Sequence, residues 1–245
     1  MSVGFANNAP LVGSPAIGNF FIPDTTQRTA LGIIQSAVDS YWGGGEFIYL
    51  QYGATIVKGA AVVWDANFVA TLLPNTANQG CPVAFAMGAN GVDLTGVTTG
   101  NFGWFQLSGK IPMWSSATVA AAALTGVVAA GQMGAVSAGK QLASARIVLP
   151  ATTTVTKAGC SGLAALFTVK CPPGTDGIFP GLAVTGTGIG ASAKVVAMSP
   201  DGVTLTLSVA NSAAVSGTLT FTYNDGTNYF NVAQVWEGAM EGQIT

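Results

Sequence analysis

The chain has 245 residues, of which 8 are Lys or Arg, 10 are Asp or Glu and none is His, so its net charge is −2. Only 7% of the residues are charged, whereas a typical soluble domain is about a quarter charged. His is the usual proton carrier near neutral pH and the commonest metal ligand; its absence, together with the lack of a basic stripe, a polybasic patch or an apolar run of roughly 20 residues, argues against an enzyme, a nucleic-acid binder and a membrane protein.

Residues 1–44 are interpreted as an extended N-terminal arm. Proline recurs through residues 1–30, where it prevents regular strand pairing and favours extended backbone before it. Phe20, Phe21 and Ile22 would be costly to leave in water. The arm is therefore predicted to lie on another surface, with a disordered leader as the alternative.

Residues 31–44 give a mixed signal. Leu31, Ile34, Val38 and Tyr41 fall at helical spacing. Gly32 and the Trp42-Gly-Gly-Gly sequence favour something shorter, so this stretch stays ambiguous between a helix and another element.

Residues 45–150 read as many short strands. Each is rich in Val, Ile, Phe, Tyr or Trp, and Gly, Asn, Asp and Ser separate them. Ser108-Gly109-Lys110 is typical of a turn. The predicted strands are 46–51, 55–57, 61–64, 68–72, 83–87, 103–107, 110–113 and 141–149.

After Pro150 the composition shifts and a second strand series begins. Residues 203–209 alternate apolar and polar side chains, which is typical of a half-buried strand, and the regular spacing favours a β-sandwich. Residues 229–236 again resemble the strands of the first series and are predicted to pair beside 143–148. The second domain is therefore expected to be inserted in the first. The other strands predicted in this series are 165–170, 183–185, 193–198 and 218–223.

The three cysteines make a zinc site improbable, since they show no C-x-x-C spacing and have no His partner. Cys160 and Cys171 are 11 apart and could face each other across a hairpin. The preferred interpretation is that they and Cys81 are small buried apolar side chains. The five tryptophans are interpreted in the same way, as core.

No catalytic residue, cofactor site or metal site is predicted. The sequence from Gly186 to Ala191 fits G-x-G-x-x-A but lacks the following helix and acid of a dinucleotide site. Asp201 and Asp225 lie in ordinary Asp-Gly turns. Glycoside cleavage would need a carboxylate pair, and the candidates are Asp39 with Glu46 and Glu237 with Glu241. Glu46 is better explained as capping a rigid turn. Glu237 and Glu241 are better explained as a solvated end or as partners for Lys or Arg on a neighbouring subunit.

Several segments resemble structural proteins of tailed-bacteriophage heads. The segments are Leu31-Gly-Ile-Ile, Trp42-Gly-Gly-Gly-Glu-Phe-Ile-Tyr-Leu, Val83-Ala-Phe-Ala-Met87 and Gly103-Trp-Phe-Gln106. In this order they cover roughly residues 31–149. The resemblance is to capsid decoration, or cement, proteins.

A second resemblance covers residues 181–222, which is similar to an Ig-like β module of phage and bacterial surface proteins. The segments that carry it are Gly181-Leu-Ala-Val-Thr-Gly-Thr-Gly-Ile189, Val195-Val-Ala-Met198, 203–208 and Gly217-Thr-Leu-Thr-Phe221. The fold expected is all-β: a short-strand β-barrel or sandwich domain (45–150 plus 229–245), the extended arm (1–44) and an outward-facing Ig-like β-sandwich (151–228).

The resemblance implies a non-enzymatic virion protein, made in the host bacterial cytoplasm, that binds the outer capsid surface and bridges major capsid subunits. Its expected partners are the major capsid protein and itself, as a homotrimer or homodimer, with no nucleic acid and no membrane. The alternative is a head fibre or adhesin whose Ig-like domain binds a glycan. The side chains expected at capsid or subunit contacts are Phe5, Leu11, Phe20, Phe21, Ile22, Trp42 and Glu46.

Overall fold

The computed structural model describes residues 6–7, 22–39, 43–88, 96–173, 178–179, 181–199, 202–224, 229–236 and 241–242. Every regular element in these ranges is a β-strand, which confirms the predicted all-β class. The strands form a 13-stranded sheet and a six-stranded sheet.

The nineteen strands of the described residues are short, apart from three of nine residues or more. In chain order they are β1 (Ala6–Asn7), β2 (Ile34–Asp39), β3 (Gly43–Tyr52), β4 (Ala61–Trp64), β5 (Val69–Leu72), β6 (Ala84–Ala86), β7 (Phe102–Ser115), β8 (Thr125–Ala129), β9 (Gln132–Ala135), β10 (Gln141–Leu142), β11 (Ala145–Leu149), β12 (Thr154–Gly162), β13 (Thr168–Lys170), β14 (Ala183–Thr185), β15 (Val195–Met198), β16 (Thr204–Leu207), β17 (Val215–Thr222), β18 (Tyr229–Val235) and β19 (Glu241–Gly242).

Five strands of the larger sheet close into a ring. The order is β3-β5-β4-β6-β7, and β7 pairs back with β3, so each of the five has a neighbour on both sides. Leu50, Tyr52, Val62 and Phe105 are fully buried inside it. Closure leaves these strands without a free edge, which makes the ring a rigid base for the segments attached to it.

The 14-residue β7 belongs to two groups of strands. Its first half pairs with β3, and its second half, from Gly109 to Ser115, pairs with β18. The turn predicted at Ser108-Gly109-Lys110 is wrong, because the irregularity there is a bulge within a continuous strand. Gly109 takes φ +102, and the Gln106 side-chain amide donates to the carbonyls of Ser108 and Lys110 across it.

The ambiguous stretch after residue 31 is a strand, not a helix. β2 pairs with β3 in regular register, from Ile34 opposite Ile48 to Asp39 opposite Gly43. The glycines before Glu46 lie in β3 and do not form the predicted turn. A Cβ on Gly45 would stand 2.7 Å from the Ser108 carbonyl oxygen, so only glycine lets β3 approach the β7 bulge this closely.

Strand β18 joins the end of the chain to the middle. It lies between β7 and β11, with Val235 opposite Ala145 and Ala233 opposite Ile147. This confirms the predicted pairing of residues 229–236 beside 143–148. The buried faces of these strands form a second apolar core with Ile111, Met113 and Val127 as further members.

All strands between residues 154 and 222 lie in the six-stranded sheet, in the order β14-β17-β12-β13-β16-β15. Its outer strands are themselves linked, since the Val195 N–H donates to the Leu182 carbonyl and the Val184 N–H to the Ala193 carbonyl. Opposite sides of this closed sheet therefore face each other across one core, as the layers of a sandwich do. The Ig-like topology of this part stays a prediction.

The preferred interpretation of two of the cysteines is wrong. Cys160 and Cys171 form a disulfide, with their Cα atoms 4.2 Å apart. Ser161 stands opposite Lys170 in the β12–β13 hairpin. Cys160 and Cys171 are the next residues on each strand, away from the connection, and therefore face each other. Cys81 is not in a disulfide and is half-buried beside the second apolar core.

Candidate interaction surfaces

Two of the seven predicted contact residues have described side chains. Ile22 is 60% exposed. Glu46 is half-buried in β3, where its backbone N–H donates to the Ser108 Oγ at 3.2 Å. The other five, Phe5, Leu11, Phe20, Phe21 and Trp42, lie outside the described residues.

The segment after Ile22 is held against the closed ring by Asp24. The backbones of Asp24 and Phe102 exchange two hydrogen bonds of 2.8 Å. The Asp24 carboxylate accepts a hydrogen bond of 2.9 Å from the Tyr49 hydroxyl and forms an ion pair with Arg28. The Arg28 backbone N–H donates back to the Tyr49 hydroxyl. These contacts hold the segment from Asp24 to Arg28 against β3 and β7.

Burial raises the pKa of Tyr49 to about 12 and of Tyr223 to about 12, and it raises the pKa of Tyr52 still further. We therefore expect three of the five tyrosines to ionise above their ordinary range. Below about pH 10 these phenols are neutral in both the folded and the unfolded chain, so their burial contributes fully to the free energy of unfolding. As the pH rises towards 12 the unfolded state ionises first, so stability falls.

An alkaline titration followed by phenolate absorbance measures this, with Tyr49→Phe as the control that removes one late step. Ionisation of all five tyrosines in the ordinary range, with the fold intact, would contradict it.

The N-terminal edge of the larger sheet combines a short added strand with an exposed apolar side chain. β1 pairs with β2 at Ala6–Val38 and Asn7–Ala37, and no strand pairs with its other side among the described residues. Ile34, at the start of β2, is more than half exposed. Ile22 is also more than half exposed, but it lies next to the segment that pairs with β7 at Phe102. An edge of this kind can accept a further strand from another chain.

A second exposed apolar surface lies at one end of the six-stranded sheet. It consists of the β12–β13 connection, Leu163-Ala-Ala-Leu-Phe167, and Val209 in the β16–β17 connection. Leu163 is 69% exposed, Phe167 52% and Leu166 46%. We call this surface the apolar tip. Hydrogen bonds between Ala165 and Asn211 and between Asn211 and Leu166 hold the two connections together.

The two sheets meet at a buried lysine. Lys58, in a turn between β3 and β4, is 1% exposed, and its Nζ lies 5.2 Å from the ring centroid of Phe179. The Phe179 ring also meets the rings of Tyr223 and Phe230 edge-on, at 5.5 and 5.8 Å. A desolvated cation over an aromatic face is attracted by its quadrupole, so this cluster stabilises the junction.

The register does not bring the carboxylates of the glycosidase alternative opposite each other. Glu46 stands opposite Ser36, three residues along β2 from Asp39. The side chains of Asp201, Asp225, Glu237 and Glu241 lie outside the described residues. Within the described ranges, no three His, Cys, Asp or Glu residues come together as a metal site.

The tryptophans are not uniformly core residues. Trp104 is buried, while Trp64 and Trp114 are half-buried. Trp236 is 53% exposed at the end of β18, which differs from its predicted core position, and Trp42 is not described.

Helices long and apolar enough to span a bilayer are absent from the described part of the chain.

Sequence reasoning missed the apolar tip. Residues 165–170 were interpreted as a strand, whereas β13 begins only at Thr168, which leaves Leu166 and Phe167 in the connection. The signal available was a run of five residues without a hydrogen-bonding side chain, directly after Gly162 and close to the predicted hairpin position of Cys160.

Searches of family models, of curated proteins and of solved structures each found no match to this chain.

Proposed function

We propose that this chain is a non-enzymatic decoration protein of a bacteriophage head, which binds the outer capsid surface and stabilises the shell by bridging major capsid subunits. The observation that carries the proposal is the way the N-terminal segment meets the body. It adds β1 as an edge strand, is fixed at Asp24, and leaves Ile22 and Ile34 more than half exposed.

Binding would act by linkage. A protein that binds the assembled shell but not its free subunits stabilises the assembly by an amount that grows with its concentration and affinity. Apolar contact and strand addition at the β1–β2 edge would supply the affinity, because the chain has only 18 charged residues, 8 basic and 10 acidic, to form ion pairs. Repeated, symmetric sites on a shell favour a symmetric oligomer, a homotrimer or homodimer.

The disulfide supports a working place outside the cell. Disulfides persist in oxidising surroundings and are rare in the reducing cytoplasm, where the chain would be made. A protein on the outer surface of a released virion meets the first condition, so formation of the Cys160–Cys171 bond fits this location.

The experiment is co-sedimentation of the purified chain with undecorated shells of its parent virus. We expect binding to persist at about 1 M salt, where charge interactions are nearly screened. Ile22→Asp and Ile34→Asp should each weaken binding at least tenfold, since each removes an exposed isoleucine whose burial against the shell would contribute about 1.5–3 kcal/mol. Val136→Asp, at another exposed apolar position, is the matched control. Release of the chain at high salt contradicts the proposal.

A surface adhesin with a glycan-binding second domain is the other candidate. An exposed aromatic patch on residues 151–228 would favour it, and the structure exposes one ring there, Phe167. The neighbouring side chains of residues 163–167 offer no hydrogen-bonding group for sugar hydroxyls. Shell binding is therefore the better-supported function. A chain lacking residues 151–228 separates the two, because a decoration protein should still load onto shells.

A further inference from the structure

We propose that the apolar tip inserts into the surface of a lipid bilayer that contains anionic phospholipid, as a peripheral contact made by loops and not as a membrane-spanning segment. This inference goes beyond shell binding and does not depend on it. It also departs from the expectation of no membrane partner. That expectation rests on the lack of a spanning segment and of a polybasic patch, and neither is needed for apolar loops to contact a bilayer.

The first support is the composition of the apolar tip. The apolar tip lies at the end of the six-stranded sheet where the β12–β13 hairpin turns. Its exposed side chains are Leu163, Leu166, Phe167 and Val209. Contiguous exposed apolar side chains on a soluble protein mark an interaction site. No charged residue occurs from 158 to 169 or from 202 to 223, so nothing in these two segments would have to give up a charge to enter hydrocarbon.

The second support is the backbone of the apolar tip. The Ala165 N–H donates to the Asn211 carbonyl, the Asn211 N–H to the Leu166 carbonyl, and the Leu207 N–H to the Phe167 carbonyl. The buried Asn211 side-chain amide donates to the Leu163 carbonyl at 2.9 Å. Hydrocarbon accepts backbone only when its polar groups are satisfied internally, whereas a water-exposed loop has no such requirement. These bonds satisfy several backbone groups of the two connections internally, while the buried Asn211 Oδ1 has no hydrogen-bond partner.

The third support is charge. Residues 154–222 carry three lysines, Lys157, Lys170 and Lys194, and two aspartates, Asp176 and Asp201, which lie outside the described residues. Lys170 is exposed and follows Phe167 by three residues along β13, about 10 Å at strand spacing. Apolar faces of peripheral segments lie roughly 5–10 Å deep. A lysine at that height meets lipid phosphates, which favours an anionic bilayer over an uncharged one.

The disulfide completes the arrangement. The Cys160–Cys171 bond closes the hairpin whose connection carries Leu163 to Phe167. A loop that is fixed before contact loses less conformational entropy on binding. The tip is therefore expected to bind in the oxidised protein more tightly than in the reduced one.

Vesicle flotation of the full chain tests the proposal, with vesicles of equal parts phosphatidylethanolamine and phosphatidylglycerol compared with phosphatidylcholine alone. We expect flotation with the anionic vesicles, at least tenfold weaker binding for Phe167→Asp and for Leu163→Asp, and about fivefold weaker binding for Lys170→Gln. Trp236→Asp is the matched control, since Trp236 and Phe167 are exposed to nearly the same degree, 53% and 52%. Thermal unfolding verifies that each variant folds.

Insertion gives a second, independent readout. In Phe167→Trp, the added tryptophan should be quenched by brominated lipid, while the five native tryptophans report the background in the parent chain. The proposal is overturned if the parent does not float, if the aspartate variants float as well as the parent, or if Phe167→Trp shows no added quenching. It is also overturned if sedimentation shows a dimer that Phe167→Asp disrupts while no vesicle binds, or if only lipopolysaccharide vesicles bind, since the occupant is then a second copy or a glycan.

Discussion

Replacing Asn231 with alanine is expected to lower the free energy of unfolding by about 4 kcal/mol. Asn231 is fully buried in β18. Its Oδ1 accepts hydrogen bonds from the backbone N–H groups of Val119 and Ala151, and its Nδ2 donates to the Ala117 carbonyl. Alanine leaves the buried N–H groups of Val119 and Ala151 and the part-buried Ala117 carbonyl without these partners, and each buried group left unpaired costs about 1–3 kcal/mol. Denaturant unfolding followed by fluorescence measures the loss.

Asn75→Ala is the matched control. Asn75 also donates its side-chain amide to a backbone carbonyl, that of Val128 at 2.8 Å, but it is exposed, so water can replace the lost hydrogen bond. We expect its cost to stay within about 0.5 kcal/mol. Equal losses for the two variants would show that burial of Asn231 is not what makes it important.

Removing the disulfide, in a Cys160→Ala and Cys171→Ala double variant, is expected to cost about 3 kcal/mol. The bond closes a loop between residues 11 apart in sequence, and loop closure of this size restricts the unfolded chain by about that amount. For a chain of this length the midpoint of thermal unfolding should fall by roughly 6–12 °C. Scanning calorimetry of the parent and the double variant measures the shift.

Two comparisons make this result specific. Reductant should lower the midpoint of the parent by a similar amount and leave the double variant unchanged. Cys81→Ala removes the one cysteine side chain that is not in the disulfide, so it should not respond like the double variant. A parent that unfolds at the same temperature with and without reductant would falsify the expectation.

The strands that sequence predicted best are those where apolar content and turn residues agree. β4 has its predicted bounds, 61–64, because Ala-Val-Val-Trp lies between the turn at Lys58-Gly59 and Asp65. In β16, buried Leu205 and Leu207 alternate with half-buried threonines, as the apolar–polar pattern of residues 203–209 indicated.

The elements that sequence missed depend on contacts distant in the chain. β12 reads Thr-Val-Thr-Lys-Ala-Gly-Cys-Ser-Gly, which is too polar and too small to predict a strand, yet it pairs with β17 over most of its length. The disulfide depends on the hairpin register, and the apolar tip on where the six-stranded sheet ends. Of the predicted contact residues, only Ile22 has a described side chain that is exposed as a contact requires.

Because β7 pairs with β3 in its first half and with β18 in its second half, its two sets of hydrogen bonds form at different times during synthesis. The ring of β3 to β7 needs only residues up to 115. The second half of β7 finds its β18 partner much later, since Ala117, just after β7, and its partner Asn231 in β18 are 114 positions apart. At about 5–20 residues per second, a ribosome needs roughly 6–23 s to make that interval. During this interval the edge of β7 that later pairs with β18 has no partner strand. All strands of the six-stranded sheet are therefore synthesised before the 13-stranded sheet is complete.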